Sequence, residues 1–217
     1  MNFEAVGNYI VLLFPALKFT LGITTGGILF GLVLGLLTAF GKLSRVMIFN
    51  KLANFYTTVI RGTPLLVQML FAYFVVARWF DWTAITAAVV ALGLHNGAYM
   101  AEIIRGGIQS IDIGQTEAAR SLGMNEKQAM KRIILPQAFK RVIPPLANQF
   151  IIALKDSSLA SAITVRELVL AGRQLSARTF DQETVWVIVA LYFLALTTVF
   201  TILVDKLEDR MRVSERS

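Results

Sequence analysis

The 217 residues are 56% hydrophobic and only 16% charged, with a mean hydropathy of +0.64, more apolar than a soluble domain of this length can bury, so the chain reads as an integral membrane protein. With no cysteine and a single histidine, His95, it offers neither thiol chemistry nor a metal cluster. The net charge of +7 calls for no nucleic acid, because the basic clusters alternate with apolar stretches, as they do beside anionic lipid headgroups.

Residues 1–8 lack a basic cluster and the first apolar stretch outruns a signal-peptide core, so it is expected to stay in the mature protein. Five segments approach the ~20 residues that a helix needs to cross about 30 Å of hydrocarbon. The first runs from about Leu17 to Gly41; Gly22, Gly26, Gly27, Gly31 and Gly35 form a small-residue stripe that either packs a neighbouring helix or reflects the frequency of glycine in membranes. Thr20 and Thr24 on it are candidate polar contacts for a solute, or bond back to their own helix.

The second opens at Thr63-Pro64, with Thr63 as cap and Pro64 in the first turn, and runs to about Phe80. Leu52 to Ile60, before it, lies along the interface or continues the same helix. The third spans about Thr83 to Ile104. On it Asn96 and Tyr99 share a face, where a solute could meet them or where Asn96 bonds a neighbouring span. His95 is read as packed interior rather than a proton relay. Glu102 and Arg105 read as an ion pair near the inner surface, with a gate role left open.

Between the third and fourth spans lies a polar loop, about 112–136, with a regular pattern: Glu117-Ala118-Ala119, three residues, Gly123, nine residues, then Ile133-Ile134-Leu135-Pro136. Gln115 to Leu122 are helix formers and Gly123 suits a left-handed cap. Asn125 with Gln128 has the form of a capping box that restarts a helix, and Leu135-Pro136 is expected to close it. The result is a stiff two-helix knob, with Ala118 and Ala119 small enough for a partner surface to approach.

The fourth span covers about Val142 to Ala160. At its end stand Lys155 and Asp156, then Ser157 and Ser158; ionisable groups at such a place cost a few kcal/mol and mark a pathway, a pair or an interface. A carboxylate here could hold a ligand ammonium and the hydroxyls its carboxylate; alternatively both charges only face the outer interface, Lys155 snorkelling to headgroups. Residues 164–183 are too polar to cross, with helical stretches such as Val165 to Leu170, and the fifth span covers about Thr184 to Val204.

Of the 21 basic residues, 15 fall on one side: Lys42, Arg45, Lys51 and Arg61; Arg105, Arg120, Lys127, Lys131, Arg132, Lys140 and Arg141; Lys206, Arg210, Arg212 and Arg216. That side is cytoplasmic, placing the N-terminus outside and the C-terminus inside. Gly41-Lys42-Leu43-Ser44 lacks the glycines and the hydroxyl of a phosphate loop, so ATP and Mg would belong to other subunits.

The pattern at Glu117, Ala118, Ala119, Gly123, Ile133, Leu135 and Pro136 resembles the cytoplasmic coupling loop of the membrane subunits of ATP-driven bacterial importers. Three further stretches narrow the resemblance to permeases for polar amino acids, of the glutamine and cystine type: Arg61-Gly62-Thr63-Pro64-Leu65, Gly97-Ala98-Tyr99 with Glu102-Ile103-Ile104-Arg105-Gly106, and Leu154-Lys155-Asp156-Ser157-Ser158-Leu159. The resemblance implies an all-α, five-span inner-membrane permease of the type I importer fold, paired with an identical or similar permease. It implies two ATP-binding cassette subunits that receive the knob and an extracytoplasmic amino-acid-binding protein. Residues 164–183, expected to fold over the outer mouth, either receive that protein or only cap the dimer pathway. The resemblance places substrate contacts around Asp156 and Ser158, with Lys155, Asn96, Tyr99, Thr24 and Thr63 as further candidates. The rival readings are a gradient-driven secondary transporter or channel, an importer of cystine or another small polar solute, and a membrane scaffold without transport.

Overall fold

The apolar stretches fold as helices because buried backbone in lipid must satisfy its own hydrogen bonds. The structure, a computed structural model, describes residues 5–216, with side chains through Met211, so the side chains of Arg212 and Arg216 lie outside the described residues. Helix α1 (Val6–Leu13) continues through a 3-10 turn at Phe14–Ala16 into α2 (Leu17–Leu43). Pro15, lacking an N–H, is absorbed in the first positions of that tighter turn instead of breaking the chain direction. The first span therefore begins at Val6 rather than Leu17.

Helix α3 (Met47–Arg61) is followed by α4 (Leu65–Phe71), a π turn at Ala72–Val76 and α5 (Ala77–Phe80). Of the two readings of Leu52 to Ile60, continuation of the second span's helix fails: the chain bends by 103° between Arg61 and Leu65. Pro64, restricted to φ −65° and extended at ψ 139°, is the N-cap of α4 and not its first turn. Thr63 does not cap either; its hydroxyl donates back to the Val59 carbonyl at 2.9 Å.

Helix α6 (Ala84–Gln109) carries the centre of the fold, and α2 lies along it. Gly27, Gly31 and Gly35 bring the two backbones together: a Cβ on Gly31 would stand 3.0 Å from the Gly93 oxygen and 3.1 Å from the Gly97 nitrogen. So this part of the stripe is an interface, whereas Gly22 has open space around it. Around the α2–α6 pair, Ile23, Met69, Leu92 and Ala153 draw α4 and α9 into one core cluster.

After α7 (Ile113–Ser121) and α8 (Glu126–Ala129), a π turn at Met130–Ile134 leads into α9 (Leu135–Asp156). Leu135-Pro136 does not close a helix as expected; the chain stays helical through it. The wider turn just before Pro136 relieves the clash a proline makes with the preceding turn. The helix ends earlier than expected, at Asp156, and passes into a 3-10 turn at Ser157–Ile163. Helix α10 covers Leu168–Thr179, with Val165 outside it, and α11 covers Gln182–Arg216. Leu168, Ala171, Val185 and Val189 lock α10, α11 and α1 together.

Among the described residues, three helices are long and apolar enough to cross a membrane: Val6–Leu43, Ala84–Gln109 and Gln182–Met211. The bent pair Met47–Arg61 and Leu65–Phe80 makes a fourth if it counts as one span. At 22 residues α9 has the length, but Lys140, Arg141, Lys155, Asp156 and the interior prolines Pro144 and Pro145 keep it below that apolarity.

Candidate functional site: a capped loop and a polar seam

Two sites stand out, one on the α7–α8 loop and one along α6. In the loop, the Asp112 side chain accepts from the Gly114 N–H and starts α7. Gly123 stops it at φ +81°, with its N–H to the Arg120 carbonyl and the Met124 N–H to the Ala119 carbonyl, the paired bonds of a Schellman cap. Asn125 and Gln128 then form a reciprocal capping box, 2.9 Å in each direction. Arg45, in the α2–α3 turn, clasps Glu126 through both oxygens at 2.8 and 3.0 Å. The Gln137 amide ties α9 back to Gln115 of α7.

The knob thus has the shape its residues imply, but not the same outward face. Glu117 and Ala118 are exposed, while Ala119 is buried against the loop's own second half, together with Ala129. Pro136 is exposed, Ile133 and Leu135 half-buried, and Ile134 packs with Ile111 and Ala138. The most outward large apolar residues are Leu122, 81% exposed, and Ile113, 75% exposed. Sequence reasoning singles out neither, although an apolar residue before the capping glycine was the available signal.

Along α6 the polar residues divide into those already used and those still open. Asn96 is wholly buried; its amide donates to the Leu92 carbonyl and its oxygen accepts from Gln149 of α9 at 2.8 Å. It is a bond between helices, with no surface for a solute. Thr24 is equally buried and donates to the Thr20 carbonyl at 2.7 Å. At the break before α4, the Gln68 amide donates to the Ile60 carbonyl, the Thr63 carbonyl and the Thr63 hydroxyl at 2.7, 3.0 and 2.9 Å. His95 Nδ1 meets the Gln68 oxygen at 3.2 Å and its ring lies 5.0 Å from that of Tyr99, a packed histidine as expected.

The Glu102–Arg105 pair is present, with Nη2 and Nε on Oε2 at 2.8 and 2.9 Å, but it belongs to a larger cluster. Lys42 of α2 binds Oε1 and also donates to Thr57 of α3 at 2.9 Å. Arg61, at the end of α3, stands 3.8 Å from Oε1 and 5.4 Å over the Tyr99 ring. Three cations from three helices share one carboxylate, an arrangement no spacing rule in the sequence could disclose.

At the far end of α9, Lys155 is exposed and Asp156 half-buried. No hydrogen bond from a described residue reaches the Asp156 carboxylate, although Lys155 lies close enough to attract it. Lys155 and Ser158 line a crevice of about 320 Å³ with Val169, Trp186 and Phe193, between α9, α10 and α11. Thr63 is exposed at the break, beside an apolar recess of about 380 Å³ lined by Val67, Phe71 and Trp82. The predicted substrate residues therefore do not converge: Asp156, Lys155 and Ser158 gather at one end, and Thr63 and Tyr99 lie beside the break.

A family model described as the inner-membrane component of binding-protein-dependent transport systems matches residues 27–213. The glutamine transport system permease protein GlnP of Escherichia coli is 40% identical over 98% of each chain. The chain belongs to this permease family. The L-cystine transport system permease protein TcyB of Bacillus subtilis is 43% identical over 76% of this chain and 70% of its own. The crystal structure of an amino acid ABC transporter with histidines contains a chain of the same fold, with a TM-score of 0.91, 38% identity, and 97% and 99% of the two chains covered. The methionine transporter MetNI in an inward-facing form shares the fold alone, with a TM-score of 0.79 at 17% identity over 97% and 99% of the two chains. The all-helical architecture is that of a type I ABC permease, and the protein is a membrane permease subunit of an ATP-driven importer; the gradient-driven reading is not favoured.

Proposed function

We propose that this permease forms, in five spans with α9 as the fourth, half of an inner-membrane pathway for a polar amino acid. Its N-terminus lies outside and its C-terminus in the cytoplasm, as the basic residues dictate. The second half is an identical or similar permease. Two ATP-binding cassette subunits hold the ATP and Mg that this chain lacks a phosphate loop to bind, and each seats one knob of residues 112–136. An extracytoplasmic binding protein delivers the substrate. Glutamine is favoured by the 40% identity to the Escherichia coli glutamine permease, and cystine is the second reading, on the 43% identity to the Bacillus subtilis cystine permease.

The observation that carries this reading is the doubly capped knob with exposed Leu122 and Ile113, clasped through Glu126 to Arg45 in the α2–α3 turn. A rigid knob strapped to that turn can pass a partner's motion to the α2–α6 pair as a solid body. At the opposite end, the unpaired Asp156 carboxylate with Ser158 and Lys155 is suited to receive a zwitterion. The test is reconstitution of the chain with its ATPase subunits and binding protein in vesicles. ATP-dependent accumulation of L-glutamine or L-cystine is expected, and a complex that moves no amino acid under ATP would overturn the reading.

A further inference from the structure

Arg61, which the sequence counts with the cytoplasmic-side basic residues, stands at the break of the bent α3–α4 pair with its donors unspent. Its guanidinium carries five N–H groups, yet no hydrogen bond to a described residue uses any of them. The Glu102 oxygens are already bonded by Lys42 and Arg105, and Arg61, at 3.8 Å, stands beyond hydrogen-bond length. The side chain is 46% exposed at the break of a span, a place where irregular backbone is tolerated because it lines a cavity. The ring of Tyr99 lies beneath it, and the Tyr99 hydroxyl is likewise free of any hydrogen bond to a described residue. Around this point Lys42, Arg61 and Arg105 face the single carboxylate of Glu102, so the cluster lacks negative charge.

The depth of the cluster excludes a role for it in the Asp156 end. Helices α6 and α9 run antiparallel, with Asn96 level with Gln149 and Ser110 level with Arg141. Asp156 lies seven residues beyond Gln149, and Tyr99 three residues beyond Asn96 in the opposite sense. At 1.5 Å per residue the two are about 15 Å apart along the axis. One α-amino acid, whose ammonium and carboxylate share a carbon, cannot touch both.

Resting on the import of an amino acid argued above, we infer that Arg61 and Tyr99 form a second, deeper subsite that takes the carboxylate of the amino acid in transit. The forked guanidinium suits a planar carboxylate, and Tyr99 adds a phenolic donor while its ring holds the arginine in place. The same chemistry would accept the phosphate of an anionic lipid, so the test separates the two.

The chain has no cysteine, so Thr63→Cys, exposed two residues from Arg61, gives it a single thiol, whose labelling is read on the permease band separated from its partner subunits. In the complete transporter in phosphatidylcholine vesicles, its reaction with a charged thiol reagent is measured with and without L-glutamine. L-Glutamine is expected to slow labelling at least threefold, L-glutaminamide to leave it unchanged, and Arg61→Gln to abolish the protection. Arg61→Lys is expected to restore part of it, and Tyr99→Phe to weaken it. Equal protection by the amide, or protection that survives Arg61→Gln, overturns the subsite. Labelling slowed by phosphatidylglycerol and indifferent to L-glutamine overturns it in favour of a headgroup. ATP-driven uptake by the unaltered complex is measured alongside. If L-glutamine is not taken up, the probe becomes the amino acid that is, with its own amide; if neither L-cystine nor any of the twenty is, the importer reading fails first and this subsite with it.

Discussion

The Gln149 amide of α9 donates to the Asn96 oxygen of α6 at 2.8 Å, and neither side chain has more than a trace of exposed surface. In lipid, where no water can replace a lost partner, such a bond fixes the register of two helices at the cost of stranding either group if the other is removed. Asn96→Leu is expected to destabilise the protein by about 1–2 kcal/mol, and the double change Asn96→Leu with Gln149→Leu to recover part of that. Thermal unfolding in detergent, arranged as a double-mutant cycle, reads the coupling; strictly additive effects would contradict the bond.

Gly123 has no atom near its absent Cβ, so any penalty on substitution comes from its φ of +81° and not from crowding. Gly123→Val is expected to cost about 1–2 kcal/mol locally and unwind the Schellman cap, with Gly123→Asn milder. Because the strain is confined to the loop, the spans should still insert while copurification of the ATPase subunits falls. Normal copurification and uptake in the Gly123→Val variant would contradict the coupling role.

Exposed Leu122 and Ile113 should matter to the partner and not to the fold. Leu122→Ser and Ile113→Ser are each expected to leave the melting temperature within a degree or two and to weaken ATPase binding at least fivefold, about 1 kcal/mol. Titration of purified ATPase subunits onto the permease in nanodiscs measures it.

Gly31 is the opposite case from Gly123. Its Cβ would meet the backbone of Gly93 and Gly97 at 3.0–3.1 Å, and backbone cannot step aside as a side chain can. Gly31→Val is expected to force α2 from α6 at a cost of about 1–3 kcal/mol, whereas Gly22→Val, with open space around it, costs little. Expression level and thermal stability of the two variants should differ accordingly.

Glu167 supplies a pH dependence. It is fully buried at the start of α10, accepts the Val169 and Leu170 N–H groups at 2.9 Å, and burial pushes its carboxyl up to about 7, against an opposing pull from those bonds and Arg173. The folded state then holds its proton more tightly than the unfolded one. Its contribution to stability is greatest below about pH 4.5 and declines as pH rises to about 7. Glu167→Gln should flatten that slope in melting curves taken between these limits; an unchanged slope would mean that another group titrates.

Much of the loop was legible because its rules are local. A glycine after a run of helix formers and an asparagine three residues before a glutamine each specify a cap without reference to the rest of the chain. The Glu102–Arg105 pair was legible for the same reason, being one turn apart on a single helix. Local rules misjudged Pro136, because a π turn lets a proline stay within a helix, and Thr63, because its hydroxyl found the nearer carbonyl of Val59. The sequence reading places the fourth span on α9, whose charges and interior prolines leave it below the apolarity of Val6–Leu43, Ala84–Gln109 and Gln182–Met211.

What the sequence by itself determined is the membrane environment and the capped loop, since hydropathy and capping depend on residues within one turn or one span of each other. What only the tertiary structure decided is which polar groups are used up and which are open. Lys42, Arg61 and Glu102 come from three helices, and Asn96 and Gln149 from two, so their meeting depends on how α2, α3, α6 and α9 pack. A side chain's chemistry is fixed by its type, but whether it is free to act is fixed by its neighbours in space.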